Sequence, residues 1–352
     1  MARRTRFVGW LALLLALMLL AAAPARPSPE EDQGILAGML QDLLSGAGRE
    51  VRIRGFSGAL SSRATIQELT IADDQGVWIT LHDVVLDWNR AALLDRRVEV
   101  NELSAQRITV SRLPSSGAED ATALPSPTAS EGFRLPELPV AVQIGTVRAE
   151  AVVLEPAVTG RQATLTLTGS AQLEGRQGTA QFDAHRTDGT TGVFRFSGGF
   201  DNRSRELALS FDLTEGPDGI ASTLLGIPGR PALGMTLRGT GPISTFTAQI
   251  GVTTNGTQQI AGIFSLVDQT PDTGVLQGGG FTLDVQGDLR SLIPDNLHPF
   301  FGANSRLRAT GQRSEAGEIE IPELLISTNA MRVNGTAALG ADGLPLRVQV
   351  TA

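Results

Sequence analysis

Along most of this chain apolar and polar residues alternate with a period of two, which commits it to β-strands with one dry face. Between Val51 and Leu113 the β-branched or aromatic runs include Val51–Arg54, Ala64–Gln67, Val77–Leu81, Val98–Val100 and Arg107–Val110, broken by Gly, Asp and Asn, and about six strands are expected from Arg49 to Leu113. Further on, the same theme recurs as strands separated by Gly-rich or Asp-Gly turns. Examples are Ala163–Gly169, Gly178–Ala184, Gly192–Gly198, Leu207–Leu213 and Phe281–Gly287. A one-residue slip would turn each apolar set to water, so the pattern demands an antiparallel meander of fixed register.

Helical signals are few. Arg90–Leu94 reads as a single turn, Gly219–Leu225 as a short helix before Gly226-Ile227-Pro228-Gly229, and Leu289–Phe301 as a helical interruption around Pro294 and Pro299. These cannot cover a sheet of roughly 20 strands. Either the sheet folds over itself as a sandwich or barrel, or it curls into an elongated trough whose dry interior holds something apolar. The expected fold class is therefore mainly β: an N-terminal transmembrane helix, then an elongated, curled antiparallel sheet with a few short helices. At about 4.8 Å per strand such a trough would extend somewhat under about 100 Å.

The chain starts with Arg3, Arg4 and Arg6, followed by an apolar run, Phe7–Ala23, that includes Trp10, Leu14 and Leu20. As a helix this run covers about 25 Å, enough to just span a hydrocarbon core, with the Arg side held inside and Trp10 at an interface. The rival is a cleaved signal peptide ending near Ala21-Ala22-Ala23. Both export the remainder, and an uncleaved anchor makes the chain single-pass.

This gives the organisation of the chain. Residues 1–23 form the Arg tail and anchor. In 24–48 a linker leads into a short amphipathic helix carrying Ile35, Leu36, Met39, Leu40, Leu43 and Leu44 at helical spacing. Residues 49–114 form a membrane-proximal β-region. Residues 115–139, rich in Ser, Ala, Thr and Pro, read as a mobile insertion. Strands resume over 140–352.

Composition narrows the function classes. A net charge of −8 without an Arg-rich cluster argues against a nucleic-acid partner. The absence of Cys removes thiol catalysis and thiolate metal sites. His82, His185 and His298 are far apart and lack metal-ligand spacing, so no metal or cofactor is expected. No nucleophile elbow, phosphate loop or dinucleotide fingerprint occurs, and Asp73-Asp74 begins a turn at Gly76, so the chain reads as a non-enzyme.

The run Gly55-Phe56-Ser57-Gly58, then Ile66–Asp73, Gly76–Leu81 and Val84-Val85-Leu86-Asp87-Trp88, resembles the N-terminal region of the TamB family. Arg96–Val100 and Ser111–Pro114 extend the likeness, with weaker echoes at Gly239–Pro242 and Phe300–Gly302. This resemblance implies an AsmA-like protein, anchored in the inner membrane and projecting a β-trough into the periplasm. It also implies a TamA-like outer-membrane barrel as partner, movement of phospholipid between membranes, and outer-membrane protein assembly. The family is several times longer and meets its barrel partner through a C-terminal domain. This chain reaches Ala352 in mid-pattern, so it is expected to be an N-terminal portion, which puts the barrel contact in question.

An acyl chain crossing water exposes apolar surface at about 25 cal/mol per Å², and a dry groove removes much of that barrier without any catalytic residue. The expected partners are thus phospholipid acyl chains and the inner membrane. The groove candidates are Leu165, Leu167, Phe194, Phe196, Leu207, Leu209, Phe211, Leu283 and Val285. The competing reading is a periplasmic chaperone or scaffold that binds client β-strands at its free edges.

Overall fold

The computed structural model describes residues 50–58, 62–114, 135, 140–267, 280–313, 318–340 and 345–351. The expected anchor with Arg3, Arg4, Arg6, Trp10, Leu14 and Leu20, the amphipathic helix within 24–48 and nearly all of the 115–139 insertion lie outside the described residues. Among the described residues no helix is long and apolar enough to cross a membrane. The described residues are mainly β, with 17 strands and a few short helical turns among them. It divides into two compact units, residues 1–121 with 136–188, and 122–135 with 189–352.

In the first unit, β1 (Glu50–Arg54), β2 (Arg63–Asp73), β3 (Gly76–Asn89) and β4 (Arg97–Val110) pair in sequence, each antiparallel to the next. The sequence pattern predicted about six short strands here, and the structure has four longer ones. Its interruptions are irregularities within strands. Asp83 takes a left-handed φ of 50°, and the β2–β3 ladder passes over it and resumes in register. Asn101 is the extra residue of a bulge, because Asp87 pairs with Glu102 and Trp88 with Val100.

A second correction concerns direction. β5 (Ala141–Leu154) runs parallel to β4, Val98 opposite Val142 and Val110 opposite Leu154. A parallel neighbour requires the chain to return to the starting end of β4, and the long Ser- and Pro-rich connection supplies that length where a tight turn could not. Antiparallel pairing then resumes with β6 (Ala163–Glu174) and β7 (Gln177–Arg186). A four-residue helix, Pro156–Thr159, links β5 to β6 and ends on Gly160 at φ 73°.

The Asp73-Asp74 pair is a turn. Asp73 accepts the Gln75 N–H at 2.9 Å, and the Arg112 guanidinium clamps both the Asp73 carboxylate and, at 2.6 Å, the Gly76 carbonyl.

The second unit is an up-and-down meander. Its strands are β8 (Gly192–Asp201), β9 (Glu206–Glu215), β10 (Leu233–Pro242), β11 (Thr247–Thr254), β12 (Thr257–Val267), β13 (Gly280–Gly287), β14 (Ser305–Arg313), β15 (Ile319–Ser327), β16 (Arg332–Leu339) and β17 (Pro345–Thr351). Each is antiparallel to its successor. The predicted helix at 219–225 is present as Ile220–Leu224, and the interruption at 289–301 contains only one short 3-10 turn, Asp295–Leu297.

The two units bury their apolar faces differently. In the first, Val51, Ile53, Ile66, Leu69, Ile71, Ile79, Val84 and Ala105 form one buried cluster, with Phe56, Trp78 and Leu81 packed against it. Trp88 and Val100 are 3% and 1% exposed. In the second, Leu213, Ile227 and Leu233 form a buried cluster edged by half-buried Phe194, Phe211, Met235, Val252 and Leu292, and Phe200, Phe246, Ala248 and Ala309 are buried elsewhere on its strands.

Candidate functional site: an apolar strand face

Residues paired directly across a ladder point to the same side of the sheet. In the second unit this rule links one face strand by strand. Phe194 lies opposite Leu213, and Phe196 opposite Phe211. Phe211 in turn lies opposite Leu237, and Leu213 opposite Met235. The row continues through Ile250 and Val252 on β11 to Ile260, Gly262 and Phe264 on β12. From there Phe264 meets Leu283 and Gly262 meets Val285, and these pair with Ala309 and Leu307. Leu307 faces Ile326, Ile326 faces Val333, and on the last strands Ala337 faces Val348.

The predicted Phe194, Phe196, Leu207, Leu209, Phe211, Leu283 and Val285 all fall on this single face. Most are half-buried, and Phe196 is 37% exposed. Leu165 and Leu167 lie in the first unit, opposite Val152 and Ala149, where Leu165 is only 6% exposed. Leu165 therefore belongs to a closed core, and the half-open candidates lie in the second unit. The candidate set omitted Met235, Leu237, Ile250, Val252, Phe264, Phe281 and Leu307. The same period-two alternation would have found them.

Between its ends the face carries no charged side chain at its paired positions among the described residues. Glu215 marks one end, opposite Leu233 and Gly192. Its carboxylate is 2% exposed and accepts two backbone N–H groups, from Ile220 at 2.8 Å and Ala221 at 2.7 Å. Those are donors that a helix start leaves unsatisfied, so the buried charge is consumed as a cap. It ties Ile220–Leu224 down over the sheet, where Ala221 and Ile227 pack against Leu213 and Leu233. Sequence reading missed this role because a Glu at a strand end reads as a surface residue.

The opposite face is polar and cross-linked by charge. Arg238 pairs with Asp212, and Asp284 receives Arg306 and Arg308. Hydrogen bonding from Arg306 holds the Asp284 carboxyl below the usual carboxylate range, and Arg290 does the same for Asp288. On the β8–β9 turn Asp201 is lowered by the Arg203 and Ser204 backbone N–H groups.

The histidines stand apart from the apolar face. His82 pairs with Glu68 and Arg107, His185 is exposed, and the His298 ring lies 3.2 Å from the Ile293 carbonyl. Among the described residues no His, Cys, Asp or Glu cluster is placed to hold a metal ion. A cleft in the first unit is lined by Arg97, Glu99, Gln143, Gln172 and Glu174 along with Val98 and Val142. Neither a histidine nor a hydroxyl or thiol nucleophile is among its walls.

No family model, curated protein or solved structure matches this chain.

Proposed function

We propose that this chain is a periplasmic β-trough protein of TamB type, anchored in the inner membrane through Arg3, Arg4, Arg6, Trp10, Leu14 and Leu20, that carries phospholipid acyl chains along the apolar face of β8–β17. The observation that carries this reading is the unbroken apolar row, only partly buried, with a charged ladder on its reverse. Such a face is costly in water, at about 25 cal/mol for each exposed Å², and a hydrocarbon occupant removes that cost without specific polar contacts. The absence of charge along its length favours hydrocarbon over a peptide, whose backbone groups would need partners. On this reading the protein is a conduit with no catalytic step, and it supports outer-membrane assembly together with a TamA-like barrel.

The test is photo-crosslinking of the full chain, in membranes, to phosphatidylethanolamine bearing a photoreactive acyl chain. Leu209→Asp, on the apolar face, is expected to abolish crosslinking within β8–β14 while Ser210→Asp, on the polar face, leaves it intact. Unchanged crosslinking from Leu209→Asp, Phe211→Asp and Leu283→Asp would overturn the conduit, and selective capture of unfolded outer-membrane strands would favour the chaperone reading instead.

A further inference from the structure

The apolar face contains glycines at positions where its neighbours carry large side chains, and aromatic rings occupy the vacated space. A Cβ added at Gly198 would sit 2.9 Å from Cζ of Phe196, two residues earlier on the same strand. One added at Gly311 would sit 2.5 Å from Cζ of Phe281, its direct cross-strand partner. At Gly239 an added Cβ would meet the Thr247 carbonyl oxygen at 2.5 Å and Cζ of Phe246 at 2.6 Å, but there the ring is 2% exposed and belongs to a packed core. In a strand, side chains ordinarily stand roughly perpendicular to the sheet. Here the missing Cβ lets the rings lie down against the floor.

We infer that Gly198 and Gly311 set the calibre of the acyl-chain groove: by letting Phe196 and Phe281 lie against the sheet, they keep the floor low enough for hydrocarbon to pass. The inference rests on the conduit reading above. Gly198 is its cleanest point. A Cβ there meets only side-chain atoms, the Phe196 ring and, at 3.9 Å, Leu209 Cδ1, so the ring must swing up while the backbone stays. At Gly239 and Gly311 the added atom would also press on the backbone of Thr247 and Glu320.

The experiment uses the full chain in membranes with diazirine-bearing palmitate, adducts being mapped to the peptides of β8–β10. Gly198→Ala should lower the adduct yield about fivefold, the effect of overpacking by roughly 1 kcal/mol, and Gly198→Ala/Phe196→Leu should restore most of it. Fluorine NMR of 4-fluorophenylalanine placed at position 196 should show a shifted resonance in Gly198→Ala. An unchanged yield in folded Gly198→Ala, a double variant that stays low, or an unmoved fluorine resonance overturns the inference while the conduit stands. Failure of the wild-type chain to form any adduct in these strands overturns the conduit reading and the inference with it.

Discussion

The first unit and the second are built from the same alternation, yet they use their apolar faces in opposite ways. In the first, Leu69, Ile71, Ile79, Leu86, Trp88, Val98 and Val100 are all buried, and the face is a core. In the second, Phe194, Leu209, Phe211, Leu283 and Val285 stay half-open, although Ile220 and Ile227 are buried at one end and Phe200, Phe246 and Ala248 at the other. The side chains differ accordingly. Val, Ile, Leu and Trp fill most of the first face, where Gly169 opposite Phe182 is a Gly–Phe pair, while glycines recur on the second at Gly198, Gly239, Gly262 and Gly311. Bulk that interdigitates closes a face, whereas the ring laid over Gly198 leaves Phe196 37% exposed. On the proposed conduit reading, the half-open face is the one that takes an occupant.

That contrast can be broken most directly by a buried charge. Val100→Asp, at a site 1% exposed between Trp88 and Ile144, should cost at least about 4 kcal/mol and unfold the first unit. Tryptophan fluorescence reads this unit selectively, since Trp78 and Trp88 lie in it and the second unit contains no tryptophan. Leu283→Asp on the half-open face should cost no more than about half as much, judged by urea unfolding followed by circular dichroism. Equal losses would show that the two faces are covered alike.

A smaller effect probes the Glu215 end of the second unit. Replacing Glu215 by Ala orphans the Ile220 and Ala221 N–H groups and should cost about 2 kcal/mol, whereas Glu215→Gln, which keeps one acceptor, should cost about half that. If both substitutions are neutral, the Ile220–Leu224 segment is not held by its cap.

The smallest effect is on acidification. Asp201, Asp284 and Asp288, all in the second unit, have carboxyls held below their ordinary range. A depressed native pKa gives stability that is present above the unfolded value, about 3.9, and is lost as pH falls through the lower native value. The second unit should therefore soften below about pH 4. The loss should be modest, because these pairs are solvent-accessible and screened by salt. A melting temperature for this unit that stays flat from pH 5 to below pH 3 would remove the carboxylates from its stability.

Much of this was readable from residue order. The strands at 163–169, 192–198, 207–213 and 281–287 lie inside β6, β8, β9 and β13, and the candidates between Phe194 and Val285 share one face because period two leaves no other arrangement. Strand number and direction in the first unit were less legible. Asp83 and Asn101 look like strand breakers but are absorbed as local irregularities, and the parallel β4–β5 pair joins segments separated by a long connection with no strand signal of its own. The cap at Glu215 was hidden for a related reason, since its donors come from a loop that folds back onto the strand end.

By itself the sequence determined that the chain would be β-rich, where most strands fall, and which side chains stand together on a dry face. Tertiary structure alone decided that this face is sealed in one unit and half-open in the other, that β5 joins β4 in parallel, and that Phe196 and Phe281 lie over Gly198 and Gly311. Alternation is a property of neighbours two residues apart, so it fixes the side to which a residue points. What covers that side depends on strands brought together from far along the chain, and on whether their side chains interlock or leave room.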